Sequence, residues 1–324
     1  MIISKTPVRI SLFGGSTDYI PYVEKHGGLV VGTTIDKYIY ITVRNLPSFF
    51  DFKSKVSYSE VEHVKDNNLI KHKIVRGILR HLNIHQGVEI NHMCDVPSWS
   101  GVGSSSAFIV GLLNCLQNLE GLYPTNPYAL YQQAVFLEQK VFQECVGLQD
   151  SAWAAFGGFN TIKFEPDGKT KVCQFLIDKD TQNRIENSLL LFYTGISRQA
   201  QHIAQSYVTS DMSKTEDIHH AIKEIAKESI NPIYEGNVEK IGQLLHESWE
   251  LKKTLSDKIT KPEIDNYYNK AIDSGAYGCK ITGAGGGGFF LVCAEPKNHE
   301  VIRNSLSNLL EIPFRFENKG SHIL

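Results

Sequence analysis

No two of the six cysteines stand in a CxxC pair, which argues against a zinc ribbon or a dithiol redox site. Cys94, Cys115, Cys145, Cys173, Cys279 and Cys293 are scattered, and Cys115, Cys145 and Cys293 lie in apolar runs, so they read as free thiols. No apolar run approaches the roughly 18 residues that suggest a membrane span. The start, MIISKTPVRISLF, lacks the charged, apolar and cleavage regions of a signal peptide. A cytoplasmic protein without a membrane partner is the expectation. Positive charge is not in excess either. A net charge of -2 over 324 residues argues against nucleic acid as a partner. No internal repeat or low-complexity segment is present. His81 and His85 could share a helical face, but no nearby carboxylate or cysteine completes a metal site.

What is present is a globular composition, 42% hydrophobic and 21% charged, long enough for two domains. VRISLF alternates and breaks at Gly14-Gly15, and YIYITVR from Tyr38 is β-branched and aromatic. Helical spacing follows in LIKHKIVRGILRHLN, then a strand in GVEINHMCDV. The run after Ser104 is apolar on most sides, which predicts a buried helix closed by Gly121. Asn126 and Pro127 suit the start of another, predicted to run on to Gly147. Pro166-Asp167-Gly168 turns a hairpin. Beyond it come a buried strand, SLLLFYTG, and mostly helical sequence with charged outer faces from Gln199 to about Leu255. Then follow a helix from Pro262, the strand FFLVCA, a helix from about Asn298 and a last strand, PFRFEN. This mixture predicts an α+β protein with domains at 1–180 and 181–324.

Two glycine-rich loops carry the chemistry. Neither has the lysine of a Walker loop. Gly283, Gly285 and Gly288 spell GxGxxG, but a strand follows where a dinucleotide fold needs a helix. PSWSGVGSSSAF, Pro97 to Phe108, has the better context, because it opens a helix. Free backbone N–H groups and the helix dipole there favour an anion. Gly101 and Gly103 allow close backbone approach, and Ser104, Ser105 and Ser106 add hydroxyls. A plain serine-capped helix is the competing reading.

Glu138 has Ala134, Val135, Val141 and Phe142 as its helical neighbours, so it is predicted to point inward, while Glu144 points to water. A buried carboxylate needs a partner. That partner is a magnesium ion or a structural counter-charge. Asp150 follows Gly147, where it could accept a hydroxyl proton or cap the helix SAWAAF.

Taken together, these residues resemble the GHMP kinases, the family of galactokinase, homoserine kinase, mevalonate kinase and phosphomevalonate kinase. Their central motif, PxxxGLGSSAA, is similar to Pro97–Ala107, with Val102 for Leu and Ser106 for Ala. KITGAGGGGFF from Lys280 resembles the third motif, and TPVRISLFGGSTDY resembles the first motif of the sugar kinases. The resemblance implies a ribosomal protein S5 domain 2-like N-terminal domain and a ferredoxin-like C-terminal domain, with the site between them. It implies ATP held by Pro97, Ser100, Gly101, Val102, Gly103, Ser104, Ser105 and Ser106. Mg2+ would sit on Ser105 and Glu138, with Asp150 as base and Arg9 near the reacting hydroxyl.

Asp18 of TDY is implied in sugar contact, together with Gly14, Gly15, Ser16, Gly283 and Gly285. Galactokinases carry an acidic residue and a histidine where Gly15 and Ser16 stand here, which argues against galactose. GGSTDY, TTIDKYIYI and YTGISRQA resemble the branch that phosphorylates heptose 7-phosphate at its anomeric hydroxyl, towards nucleotide-activated heptose for surface polysaccharide. That branch usually has a further glycine at position 16. Arg198 and Lys280 are the cations assigned to the substrate, Arg198 to its phosphate. L-fucose or another acceptor, and a sugar and ATP sensor without turnover, are the alternatives. The expected partner is a small sugar or sugar phosphate, and the reading admits a homodimer.

Overall fold

The computed structural model describes residues 1–97, 100–122, 126–196, 200–208 and 214–324. The chain opens with β1 (Ile2–Phe13), turns through α1 (Ile20–His26) and returns as β2 (Gly28–Asn45). The hairpin β3 (Ser54–Ser57) and β4 (Val61–Val64), the helix α2 (Lys73–His81) and β5 (Val88–Cys94) follow. Tyr38 was the predicted start of a strand, but it is the middle of β2. Asp36-Lys37 interrupts the apolar pattern, while the chain stays extended because β1 pairs along both halves, with a register shift between Pro7 and Val8.

β2 is the axis of a nine-stranded sheet. Its second half pairs with β5 and its first half with β6 (Phe159–Phe164), which forms the expected hairpin with β7 (Thr170–Gln174). Two helices, α3 (Ser104–Leu119) and α5 (Gln149–Phe156), lie on the sheet, and α4 (Pro127–Phe136) packs against both. α3 is buried along most of its length and packs on β1 and β2, as its nearly continuous apolar sequence requires.

The predicted helix through Gly147 ends early. α4 passes at Leu137 into a π-helical turn, Leu137–Val141, in which the Phe142 N–H reaches back to the Leu137 carbonyl at 2.8 Å. The wider turn shifts the faces. Val141, expected inside, is 44% exposed, while Glu138 is only 1% exposed.

The second half contains α6 (Lys179–Asn187), β8 (Leu189–Tyr193), α7 (Ala200–Val208), α8 (Glu216–Glu228), α9 (Ile230–Glu235) and α10 (Val238–Lys253). After these come α11 (Pro262–Asp273), β9 (Ala276–Ile281), β10 (Phe289–Ala294), α12 (His299–Ser305) and β11 (Leu310–Glu311). Its antiparallel sheet runs β11-β8-β10-β9. The division at residue 180 falls in the first turn of α6. The tail then crosses it. β12 (Phe316–Glu317) pairs with β2, and β13 (His322–Ile323) pairs with β1. Among the described residues, no helix is long and apolar enough to cross a membrane. All six cysteines are free.

The two glycine loops meet at Gly288. The Phe289 N–H donates to the Ser100 carbonyl at 3.1 Å, and a Cβ on Gly288 would stand 2.2 Å from that oxygen. Gly288 also has φ +91°, a conformation that favours glycine. Gly288→Ala is therefore predicted to destabilise the protein by more than about 1 kcal/mol, read as a lower thermal midpoint. An unchanged midpoint would show that the loops do not depend on this contact.

Candidate active site

The loop at residues 100–103 ends in Gly103, which is left-handed at φ 75° and delivers the chain into α3. Ser104, Ser105 and Ser106 form the first turn, and all three line a cleft. Their helix N-terminus faces that cleft with its unpaired backbone donors.

Arg9 on β1 holds the loop from behind. Its N–H donates to the Val102 carbonyl at 3.0 Å, and Nη1 donates to the Gly101 carbonyl at 2.7 Å. The rest of the guanidinium meets Asp150 in the first turn of α5. Nε and Nη2 converge on Oδ1 at 3.0 and 2.8 Å. Among the described residues no hydrogen bond engages Oδ2, and the Asp150 side chain stays 26% exposed in the cleft. Asp150 is thus a helix first-turn residue rather than a cap, since Leu148 occupies the cap position.

Asp18 lines the same cleft, fully buried. Its Oδ1 accepts from the Ser16 N–H and its Oδ2 from the Gln149 N–H, each at 3.2 Å. A Cβ on Gly147 would stand 2.0 Å from Oδ2, so only glycine lets the chain pass here. Burial, and then the charge on Asp150, push the Asp18 carboxyl up to about 6. Ser16 Oγ and Gln149 Oε1 are buried at the same cleft without hydrogen-bond partners among the described residues.

Glu138 joins three elements. Its Oε1 accepts from Ser106 Oγ at 2.5 Å on α3, and its Oε2 accepts from Ser151 Oγ at 2.7 Å on α5. Burial pushes its carboxyl up to about 8, although both serines act to lower it. No bond joins Glu138 to Ser105, which is exposed and lines the cleft. Ser106, at the family's alanine position, is the loop serine that reaches the carboxylate. A carboxylate and hydroxyls form a hard oxygen donor set, and that suits a small divalent cation.

Two cavities meet at Ser104 and Ser105. One, of about 110 Å³, holds Arg9, Asp18, Asp150 and Gly283. The other, of about 840 Å³, is walled by Ile39, Tyr58, His72, Ile74, Val96 and Phe108. Glu144 borders the larger one instead of pointing to open water, and burial raises its pKa.

Several predicted residues stand elsewhere. Lys280 faces inward from β9 and donates to the Leu12 carbonyl at 2.8 Å, and burial lowers its pKa strongly. It does not border the cleft, and neither do Gly14 or Gly285. Gly14 makes the turn that carries Asp18, through its carbonyl bonds from Thr17. A Cβ on Gly285 would meet Ile259. A Cβ on Gly15 would lie 3.7 Å from Gln149 Nε2, close to the cleft wall. Val102 is buried beneath the loop, Pro97 is exposed, and Ser100 Oγ bonds the Pro97 carbonyl at 2.7 Å. Arg198 lies outside the described residues. Sequence reasoning missed Lys252, whose Nζ donates to the Gly283 carbonyl in the cleft. It also missed Ser151 and Gln149. Their neighbour Asp150 was the only local signal.

The two halves match known families: GHMP kinases N terminal domain over residues 68–158 and GHMP kinases C terminal over residues 221–312. A D-glycero-alpha-D-manno-heptose 7-phosphate kinase of Campylobacter jejuni is 30% identical over 93% of this chain and 92% of its own. This chain belongs to the GHMP kinase family. A Pyrococcus furiosus galactokinase is 25% identical over 94% of this chain and 92% of its own. The fold is shared with a solved D-glycero-D-manno-heptose 1-phosphate kinase of Bacteroides thetaiotaomicron, at TM-score 0.83 and 24% identity over 100% and 99% of the two chains. As a member of the family this protein is an ATP-dependent kinase, a phosphotransferase acting on a sugar hydroxyl. The expected two-domain α+β fold is thereby borne out.

The buried carboxylates make a pH prediction. Without divalent metal, Glu138 and Asp18 keep their protons in the folded state, up to about pH 8 and about pH 6, where the unfolded chain has released them. The folded form then binds more protons, so their contribution to stability is present at low pH and lost as pH rises. In chelator, the thermal midpoint should fall between about pH 5 and about pH 8, and Glu138→Gln should flatten that fall. A slope unchanged by the substitution would contradict this assignment.

Proposed function

We propose that the protein transfers the γ-phosphoryl group of ATP to the anomeric hydroxyl of a heptose 7-phosphate. The observation that carries the chemistry is Asp150, held by Arg9 through one carboxylate oxygen beside the loop at the α3 N-terminus. The Campylobacter relative, a D-glycero-alpha-D-manno-heptose 7-phosphate kinase, supports the substrate. In this reading the phosphates of ATP lie over residues 101–106, and the base occupies the larger, mostly apolar cavity. The acceptor sugar lies in the smaller cleft. Asp18, Ser16 and Gln149 meet its hydroxyls there, and the unpartnered Ser16 Oγ and Gln149 Oε1 favour that role.

Asp150 Oδ2 takes the anomeric proton as the oxygen attacks, while Arg9 fixes the carboxylate and the loop. Glu138 would hold Mg2+ with the hydroxyls of Ser105 and Ser106, and because burial pushes its carboxyl up to about 8, the cation would bind by displacing that proton. When bound, the ion neutralises charge on the transferring phosphoryl group. Lys252 adds positive charge to the acceptor side of the cleft.

The test is ADP release with D-glycero-D-manno-heptose 7-phosphate, its unphosphorylated form and L-fucose, followed by mild acid. The phosphorylated heptose should be the best acceptor, and acid should free the new phosphate, because an anomeric carbon can leave as an oxocarbenium ion. Asp150→Asn should lower turnover by about 10²-fold or more. An acid-stable product would rule out anomeric transfer, and equal activity on the unphosphorylated heptose would rule out recognition of its phosphate.

A further inference from the structure

Behind the Asp18 wall, α1 meets α8 through a cluster that the phosphoryl-transfer reading does not use. His26 ends α1, and Glu216 and His220 lie one turn apart at the start of α8. His26 Nε2 stands 2.8 Å from Glu216 Oε1, and His220 Nε2 stands 3.8 Å from the same oxygen. One ligand atom from each residue lies within 4.8 Å of the others. We propose that His26, Glu216 and His220 bind a zinc-class divalent cation that staples α1 to α8.

Three features support a metal over an ion pair. The close contact of His26 Nε2 with Glu216 lacks hydrogen-bond geometry, so Nε2 is a buried nitrogen without a hydrogen-bond partner among the described residues. His220 Nδ1 is held by Tyr22 OH at 2.7 Å, which fixes the ring and leaves Nε2 facing the cluster. That is how outer partners orient metal-binding imidazoles. The end of α1 is itself held in place. Lys223 Nζ donates to the carbonyls of His26 and Gly27 at 2.5 and 2.9 Å.

Two imidazoles and a carboxylate select zinc or a similar borderline metal over magnesium. Tetrahedral ligands about 2.0–2.1 Å from zinc stand roughly 3.3 Å apart, and the distances of 2.8 and 3.8 Å bracket that spacing. Small side-chain rotations close the site, and water completes the coordination. His219 is not part of this group; its Nδ1 bonds the Thr215 carbonyl at 2.7 Å and its ring stacks on Tyr22. Since α1 starts two residues after Asp18, the staple would hold the acceptor wall against the C-terminal half.

The experiment is calorimetric titration of the full chain with Zn2+, in excess Mg2+ to fill hard oxygen sites. One equivalent should bind. His26→Gln and His220→Gln should each weaken it at least about tenfold. His85→Ala, a surface histidine whose ring bonds Asn83, should not change it. Circular dichroism checks that each variant folds. In the unmodified protein, Co2+ should give the visible absorption of a tetrahedral site, which reads the same coordination without any substitution. No saturable binding, or an equivalent that survives both substitutions together, would overturn the proposal. Because the readout is metal binding and not turnover, this outcome is independent of the sugar specificity.

Discussion

One buried arginine ties the site together. Arg9 is 3% exposed, and a guanidinium so far from water is tolerable only if its donors are met. Carbonyls of the phosphate loop meet it on one side and Asp150 on the other. A single side chain on β1 therefore fixes the distance between the anion-binding turn of α3 and the carboxylate of α5. Lysine has a point charge in place of a planar fork and could not span both partners. The sheet beneath makes this possible, because β2 pairs along nearly all of β1 and leaves Arg9 little freedom to move.

The second constraint is electrostatic. Asp18, Glu138 and Asp150 crowd one small region, and burial raises the first two toward neutrality. Such a site is poised for a cation, since a divalent metal bound among these groups would restore the ionised forms. The backbone is shaped to the same end. Ser16 adopts φ +94°, a strained value for a residue with a side chain, and it places the N–H that Asp18 accepts.

Much of this was legible in the sequence for local reasons. Gly101 and Gly103 before an apolar run marked the phosphate loop, and the apolar neighbours of Glu138 announced its burial. What failed was tertiary or too short to leave a pattern. Ser106 and Ser151 grip Glu138 from different helices, and no spacing in the sequence links them. Lys252 enters the cleft from α10, far along the chain. Lys280 sits beside a glycine loop that does border the cleft, but strand alternation turns it the other way, onto Leu12. The π turn displaced Val141, because a helical period was assumed where one extra residue is wound in. The two-residue strands β12 and β13 carry too few side chains to show which sheet they join.

The central claim is that Arg9 and Asp150 act as one unit. A double-mutant cycle in ADP release measures this directly, with Arg9→Lys, Asp150→Asn and the pair. Residues that act together lose their effect together, so the pair should cost about as much as Asp150→Asn alone. The coupling should reach about 1 kcal/mol or more. If the two single losses multiply in the pair, Arg9 does not work through Asp150, and the account is wrong.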